Sequence, residues 1–577
     1  MKKLLVLATA CTAAAVGFAK TITVTTTEDA FPTGPTGSLR AALAAAEDGD
    51  TITFADSLKG QTITIVDANK AGGDGSLVID GKSLTIEGPE GGITIHGQWN
   101  EVKSSDAGTR LFYITGSTST NVFRRITFSH GHGRYWDKFK NDSLGGYYPA
   151  GAVFTQGHVR FEDCTLYKNA HSFKNGGVYS PEGGGAVYAT KGIEAYDTTF
   201  TENELSRGES YYGVVLIVDG GGVFSNCTFR GNVSDSFGGM ISIKGGDLTI
   251  LASVFESNSA ANCAADIYVL QGATTSVFAK NTVFRDSYCR NGTGGGSILF
   301  EKPGETRFMT LVNCEFANCS AVGSGGCLRI TDPAQLRAIN CSFVNPTAKD
   351  WGTALDVRDL GYFVNCTFTG AMDCGGQSTS ENADVILFKG NAFVNCIEVC
   401  NVLHATAADY RVDRGIAIYR STASPTYICS IANGLKTDRT TPLDLTKDSV
   451  FADPFETRNT VQYGGSTASL YKNFDFPVFA ADEKGKYRSR VIAPAKGGLL
   501  DGTGYPVKDN ADYTHVCYSA DGGTTWTDIY KDASADDSTL ALITADQRGV
   551  PYYKGKTPIG AATYLADNVP GFMLYVR

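Results

Sequence analysis

The hydrophobic and polar positions of this chain recur with a period far longer than that of one helix or strand. A short stretch of the form x-Cys/Thr-x-Phe, closed by a large apolar residue, returns nine times through the middle of the sequence. Taking that apolar residue as an anchor, most copies are about 25–30 residues apart, with two longer steps near the start. Units of this size cannot bury a core alone, so the pattern predicts a stacked repeat. The anchors are Phe128, Leu166, Phe200, Phe229, Phe255, Phe284, Phe316, Phe343 and Phe368.

The position two before the anchor holds a small residue in every copy from Leu166 onward. Because residues two apart share a face of a strand, we predict that these side chains are buried beside the anchors. Cysteine alternates with threonine and serine there, which favours free, buried thiols over disulfides or metal ligands. The set comprises Cys164, Thr198, Cys227, Ser253, Thr282, Cys314, Cys341 and Cys366.

Asparagine dominates two further positions of the repeat. Three before the anchor, seven of eight copies have Asn or Asp, and we predict a ladder in which each amide bonds its neighbours on adjacent rungs. Three after the anchor, Asn recurs in four copies, where we predict the left-handed conformation that ends a strand in a sharp turn. The first set is Asp163, Asp197, Asn226, Ala252, Asn281, Asn313, Asn340 and Asn365, and the second is Asn169, Asn203, Asn232 and Asn258.

A glycine-led stretch such as "GGGAVYA", "GGMISI" or "GGGSILF" opens each unit. We therefore predict that each repeat forms a glycine turn, a short strand, a connector and a second short strand. Roughly a dozen such rungs should stack in parallel. Residues 37–50, "GSLRAALAAAEDGD", predict one capping helix with Ser38 as N-cap and Gly49 as its stop. Near the other end, "DYTHVCYSADGGTTWTDIY" predicts a β-hairpin turning at Asp521–Gly523. That stretch also fits a sialidase-type Asp box, but a propeller would carry several copies.

The first residues predict a cleaved export signal. Lys2 and Lys3 precede the apolar stretch Leu4–Val16, and small residues end at Ala19. A lipoprotein signal through Cys11 is the alternative. We divide the chain into residues 1–19 as signal peptide, 20–100 as cap and first rungs, 101–400 as the repeats, and 401–577 as terminal rungs and a C-terminal β segment.

The formal net charge of −10 disfavours nucleic acid and anionic membrane surfaces as partners. No later stretch is apolar enough for a transmembrane helix. We therefore predict a monomer that is secreted or held on the outer surface of a bacterium.

The repeat resembles that of the polymorphic outer-membrane proteins, a family of the bacterial envelope marked by GGA-[ILV] and F-x-x-N. The matching stretches are "GGAV" (184–187), "FTEN" (200–203), "FRGN" (229–232) and "FESN" (255–258). The flanks, "GSLRAAL", "GDTITF", "DQRGV" and "PIGA", are similar to those of other secreted β-helix proteins. The resemblance implies an all-β, right-handed parallel β-helix of pectate-lyase-like architecture and an adhesin-like surface function. The chain departs from that family in its ending, "FMLYVR", where we find no strand pattern of a translocating barrel.

Enzymes share this architecture, so catalytic signals need weighing. Asp163 and Asp197, one rung apart, could bind calcium, but an acid in an asparagine column is the commoner explanation, and we predict no cofactor. The motif Gly131-His132-Gly133 is similar to one in polygalacturonases, with His130 beside it. Glycoside hydrolysis needs paired carboxylates, and the pair Asp536–Asp537 is far away in the sequence. Two histidines are also a weak metal signal, so we lean away from catalysis.

Three insertions fall between an F-x-x-N turn and the next glycine-led strand, at residues 134–149, 171–182 and 204–213. Insertions on one face of a solenoid often form its binding face, and flat aromatic rings with polar tips suit sugars or a protein partner. We predict a ligand site for a glycan or surface protein, with a polysaccharide lyase or glycoside hydrolase as the alternative function. Its residues are Arg134, Tyr135, Trp136, Tyr147, Tyr148, Tyr179, Arg207, Tyr211 and Tyr212.

Overall fold

The computed structural model describes most of the chain between residues 19 and 369, together with short strands beyond residue 384. The continuous ranges are 19–67, 75–102, 107–135, 147–172, 183–206, 213–292, 294–344, 346–350, 352–359, 361–364 and 366–369. The expected signal peptide lies outside the described residues, as does Asn365. No helix in the described ranges is long and apolar enough to cross a bilayer.

The coils from the one that begins at Phe112 to the one that ends at Ala348 each contribute one short strand to each of four parallel sheets. One such coil runs through Val153–Thr155, His158–Glu162, Thr165–Tyr167 and Ala170–Ser172, and the next coil pairs with it in register, Leu166 opposite Phe200. The predicted all-β parallel β-helix is confirmed. The expected two strands per repeat were too few, because the polar strand before each x-Cys/Thr-x-Phe stretch and the two-residue strand after it form sheets of their own.

The four sheets are numbered here in the order in which a coil passes through them. Sheet 1 has 12 strands in the described part: Leu77–Ile79, Phe112–Ile114, Val153–Thr155, Val187–Ala189, Val215–Ile217, Ile241–Ile243, Ile267–Val269, Ile298–Phe300, Leu328–Ile330, Leu355–Val357, Val385–Leu387 and Val402–His404. Sheet 2 has 15 described strands: Thr21–Val24, Thr51–Phe54, Thr85–Glu87, Thr120–Arg124, His158–Glu162, Ile193–Tyr196, Gly222–Ser225, Leu248–Leu251, Val277–Lys280, Arg307–Val312, Ala334–Ile339, Gly361–Val364, Asn391–Val394, Tyr410–Asp413 and Thr426–Ile428.

Sheet 3 has 14 strands within the same ranges: Thr62–Thr64, Ile93–His96, Ile126–Ser129, Thr165–Tyr167, Thr199–Thr201, Thr228–Arg230, Val254–Glu256, Val283–Arg285, Glu315–Ala317, Ser342–Val344, Thr367–Thr369, Ile397–Val399, Ile416–Ala417 and Ile431–Ala432. Sheet 4 has nine strands where the structure describes it: Tyr147–Tyr148, His132–Tyr135, Ala170–Ser172, Glu204–Leu205, Val233–Ser234, Ser259–Ala260, Tyr288–Cys289, Ser320–Ala321 and Thr347–Ala348. The strand Tyr147–Tyr148 is antiparallel to His132–Tyr135, unlike the other pairings of this sheet.

Four of the described elements stand outside the four sheets. The capping helix is Leu39–Ala45, and the Ser38 hydroxyl accepts a hydrogen bond from the Ala41 amide at 3.2 Å, as predicted for the N-cap. Its expected stop was placed too late, because the helix ends before Gly49. A 3₁₀ turn covers Asp56–Leu58. Two hairpins follow the solenoid, Thr460–Tyr463 with Ser466–Ser469 and Cys517–Tyr518 with Thr527–Asp528; the second confirms the predicted pairing, and its turn lies outside the described residues.

The phenylalanine anchors stack on one another inside the solenoid. From Phe200 to Phe368 each ring lies 4.4–5.2 Å from the next, centre to centre, with planes within 16° of parallel. All are fully buried. The in-register pairing of sheet 3 imposes this geometry, because identical residues on successive rungs are held one strand spacing apart.

The cysteines of the repeat behave as predicted. The nine cysteines that the structure describes between residues 164 and 366 are buried and unbridged. Several thiols lie close to backbone carbonyls of the previous coil, as in Cys227 Sγ to Ala195 O at 3.3 Å. Five of them lie in line with threonine and serine on other rungs, as small buried side chains of the core: Cys164, Cys227, Cys314, Cys341 and Cys366.

The two asparagine positions have roles that differ in part from those predicted. Residues three before the anchor take left-handed φ angles, 53° at Asn313, and form an amide ladder at the surface, as in Asn313 Nδ2 to Asn281 Oδ1 at 2.9 Å. The ladder prediction is confirmed there, in a turn rather than a strand. Three after the anchor the prediction was wrong: the preceding residue, such as Glu202, is left-handed, and the asparagine itself is buried in a second ladder.

Candidate functional site

The outer face of sheet 1 carries aromatic, apolar, polar and charged side chains. In its strands from Leu77–Ile79 to Leu355–Val357, the first and third residues point into the core and the middle residue points away from it. Four of these middle residues belong to a second buried cluster, Tyr188, Leu216, Tyr268 and Leu299. Through the paired register, the outward residues form one row along the solenoid axis. The row is Val78, Tyr113, Phe154, Tyr188, Leu216, Ser242, Tyr268, Leu299, Arg329 and Asp356.

Three rings near the start of this row form an aromatic column, Tyr113, Phe154 and Tyr188. The Tyr113 and Phe154 rings stack with centres 5.4 Å apart, and Phe154 meets Tyr188 edge to face at 5.2 Å. Tyr113 and Phe154 are half-buried, and Val78, on the preceding rung, is 47% exposed. Tyr113 and Phe154 therefore present partly open ring surface, whereas Tyr188 is buried.

A buried guanidinium supports the column from one side. The Arg110 Cζ atom lies 4.6 Å from the centre of the Tyr113 ring and 5.7 Å from that of Phe154, a cation–π arrangement. Arg110 Nε donates to Ser76 Oγ at 3.1 Å. The rings are thus held in place by a fixed charge rather than only by their own packing.

The residues predicted for the ligand site fall mostly outside the described ranges. Trp136, Tyr179, Arg207, Tyr211 and Tyr212 are among those. The other four lie in the paired backbone of sheet 4, with Arg134 opposite Tyr148 and Tyr135 opposite Tyr147. Their proposed role in binding stays a prediction.

The aromatic column was not predicted. Its signal was present in the sequence, because Tyr113, Phe154 and Tyr188 are the middle residues of short strands whose neighbours are apolar core positions. Two insertions, 134–149 and 171–182, precede along the chain the strands that carry Phe154 and Tyr188, and the third, 204–213, precedes the strand of Leu216.

Further along the same face lies a cavity of about 460 Å³ with charged walls. Its lining residues are Leu299, Glu301, Lys302, Arg329, Thr331, Asp332 and Arg358. Six strand steps of ~4.8 Å separate Phe154 from Arg329, so the cavity is about 29 Å from the aromatic column. This cavity was not predicted either, although a charged residue stands at the middle of an apolar strand, as in "CLRI".

A buried carboxylate organises one wall of the cavity. Asp356 is fully buried, and its Oδ2 lies 3.2 Å from Arg329 Nε and 3.2 Å from Arg358 Nη2. Glu301 also lines the cavity, and its Oε2 accepts a hydrogen bond from the Tyr268 hydroxyl at 2.5 Å. Burial lowers the pKa of Arg329, and the charge of Asp356 acts against that effect.

The two histidines considered as metal ligands point to different partners. His130 Nδ1 lies 2.6 Å from Ser129 Oγ, and its ring stacks on His96 at 4.7 Å. His132 Nδ1 lies 2.7 Å from Ala107 O. The pKa of His96 is lowered by burial and by His130. The two rings do not converge on one point.

The other predicted chemical signals gain no support. The described residues contain no group of three or more His, Cys, Asp or Glu side chains arranged to hold a metal. Asp163 and Asp197 occupy successive left-handed turns, and Asp197 Oδ1 accepts from the Asn226 amide of the next rung. Asp536 and Asp537 lie outside the described residues.

Residues 186–396 match the family model for the right handed beta helix region. No curated protein matches the chain. No solved structure matches it either. With the four parallel sheets, the match defines the class: the chain is a right-handed parallel β-helix repeat protein.

Proposed function

We propose that the protein is an adhesin-like exported or surface protein that binds a glycan chain along the outer face of sheet 1, without catalysis. The observation that carries this proposal is the aromatic column of Tyr113, Phe154 and Tyr188. Export rests on the signal-like stretch at the start of the sequence.

The geometry of the column suits an extended polymer. Its rings belong to three successive rungs, so they repeat along the axis at about 4.8 Å per rung. Half-buried aromatic surface combines an apolar face with polar tips at the tyrosine hydroxyls, and a pyranose ring likewise has an apolar face and a polar rim. Because Arg110 and the paired backbone fix the rings, little side-chain freedom is lost on binding.

The test is pull-down of the mature chain, residues 20–577, on a panel of insoluble polysaccharides, with released sugars assayed in the same tubes. The probe variant is Phe154→Ala, which removes the central ring. The matched control is Tyr288→Ala, because Tyr288 is 40% exposed and lies on sheet 4. We expect the probe to weaken binding at least fivefold, about 1 kcal/mol, and the control to leave it unchanged.

Two results would overturn the proposal. Equal binding by Phe154→Ala and the unaltered protein would remove the column from the site. Release of sugar products would replace the binding function by the lyase or hydrolase alternative. If no glycan binds, a surface-protein partner becomes the function to test.

A further inference from the structure

We propose that the charged cavity on sheet 1 is a binding site for a carboxylate that carries neighbouring hydroxyl groups. The ligand is either a sugar acid within a glycan or a small free hydroxy acid, which share this chemistry. The inference goes beyond the proposed function and rests on different residues, since the cavity lies about 29 Å along the face from Phe154.

Arg329 is the central donor. It is the outward residue of the strand Leu328–Ile330, and its side chain is 15% exposed. Gly294 makes room for it, because a Cβ atom there would lie 2.2 Å from Arg329 Cδ. Within the described residues Arg329 Nε has no aligned hydrogen bond, although it lies 3.2 Å from Asp356 Oδ2. A buried guanidinium in this position has donor capacity left for a ligand.

Two cations of the lining keep donors that a ligand carboxylate can occupy, Arg329 and Lys302. The charges around the cavity balance, with Lys302, Arg329 and Arg358 against Glu301, Asp332 and the buried Asp356, and Asp356 is shared between the two guanidinium groups. No carboxylate in the described part of the chain lies within ion-pair distance of the Lys302 ammonium group. Guanidinium and ammonium groups together suit a planar carboxylate.

The carboxylates of the lining restrict the ligand to a weakly charged, hydroxylated one. Glu301 and Asp332 line the cavity, and Glu301 is held by the Tyr268 hydroxyl. Carboxylates accept hydrogen bonds from ligand hydroxyls, but they repel a dianion such as phosphate. The cavity of about 460 Å³ falls within the range of small-molecule sites. These features together point to a hydroxylated monocarboxylate.

The test is calorimetric titration of the mature full chain with three probes: glucuronate, glucose and an oligomer of glucuronate. The first two differ only at C6, so their comparison isolates the carboxylate. We expect glucuronate to bind, glucose not to bind, and added salt to weaken glucuronate binding. Tighter binding of the oligomer identifies a glycan as the source, whereas equal affinity per site identifies a free acid.

Lys302→Gln is the first variant, because it breaks no ion pair in the described structure, and Arg329→Gln is the second. Each should weaken glucuronate binding about tenfold. The control is Arg230→Gln, which removes an exposed arginine of sheet 3 paired with Glu256 and should have no effect.

Three outcomes overturn the inference: no binding of glucuronate, equal binding of glucose and glucuronate, or unchanged affinity in both cavity variants that fold. Phe154→Ala should leave glucuronate binding intact. A protein that binds insoluble glycans through Phe154 but ignores glucuronate would therefore lose the cavity site and keep the proposed function.

Discussion

The side-chain nitrogen Nδ2 of Asn203 donates to Asn232 Oδ1 at 3.0 Å, although the two residues are 29 positions apart in the chain. The same oxygen also accepts from the Asn203 backbone amide at 2.9 Å. Asn232 in turn donates to Asn258 Oδ1 and to Phe200 O. Each buried asparagine thus joins the backbone of successive coils at a point where no sheet pairs them.

Replacing Asn232 by alanine should strongly destabilise the solenoid. The change leaves the Asn203 amide and the Phe200 carbonyl without partners in a fully buried turn. We expect a loss of about 2–4 kcal/mol in the free energy of unfolding, measured by urea denaturation followed by circular dichroism.

The surface ladder provides the matched control. Asn313→Gly removes an amide that donates to Asn281 in the exposed turn and keeps the left-handed backbone. Its cost should stay below about 1 kcal/mol. Equal costs for the two variants would show that burial of the ladder contributes nothing.

Removing one ring from the stacked anchors of the core should lower the free energy of unfolding more than removing an exposed ring does. Phe255 stacks on Phe229 at 4.4 Å and on Phe284 at 4.9 Å and is fully buried. Phe255→Ala should lower the free energy of unfolding by about 3–5 kcal/mol, because it leaves a cavity between two fixed rungs. Tyr288→Ala should change it by less than about 0.5 kcal/mol. A cost below 1 kcal/mol for the core variant would contradict the described packing.

Asp266 makes stability depend on pH in a defined direction. It is fully buried and accepts from Ser297 Oγ at 2.7 Å and from Asn258 Nδ2 at 3.0 Å, and burial raises its pKa from 3.8 to about 7. Between these values the folded protein keeps a proton that the unfolded chain releases. The stabilising contribution is therefore full below pH 3.8 and is lost as the pH rises through 7.

Asp266→Asn has no titrating group, so its urea midpoint relative to the unaltered protein should rise between pH 4.5 and 7.5. We expect about 1–3 kcal/mol over that window. Asp219→Asn is the control, because a hydrogen bond from Lys191 lowers the pKa of the exposed Asp219 below its ordinary value of 3.8. Its effect on stability is confined to lower pH, so this variant should run parallel to the unaltered protein across the window. A parallel pH profile for Asp266→Asn and the unaltered protein would disprove the assignment.

The core cysteines should resist both alkylation and oxidation while the protein is folded. Burial raises the pKa of the Cys164 thiol to about 12, so almost no thiolate is present at pH 8. Peptide mapping after iodoacetamide treatment should find Cys164 and Cys227 unmodified in the native protein and modified in guanidinium chloride. A disulfide-linked peptide pair joining Cys341 to Cys366 would be the contrary result.

Much of the fold was predictable because equivalent positions of successive repeats hold similar residues and stack on one another. The anchors and small residues predicted the stacked core, and Ser38 predicted the start of the helix. The two kinds of asparagine were harder to separate, since Asn tolerates a left-handed turn and also forms ladders. Which role it takes depends on whether the residue before it makes the turn, as Glu202 does before Asn203.

The candidate site was predictable only in part. The insertions indicated which coils differ from the rest, but not that Tyr113, Phe154 and Tyr188 would align on the outer face of sheet 1. The cavity depends on Arg329 and Asp356, which are 27 residues apart and meet only through the pairing of their strands. Such meetings follow from the register of sheet 1, and the repeat lengths are too irregular to fix it beforehand.

The antiparallel strand Tyr147–Tyr148 makes the two edges of sheet 4 unequal as pairing sites for a further coil. It lies against His132–Tyr135 and occupies the edge at which an earlier coil would otherwise pair. An antiparallel strand is a poor template for another parallel coil, so duplication of a coil by recombination is tolerated on its far side and opposed on its near side. Changes in the number of coils during evolution should accordingly accumulate among the later coils.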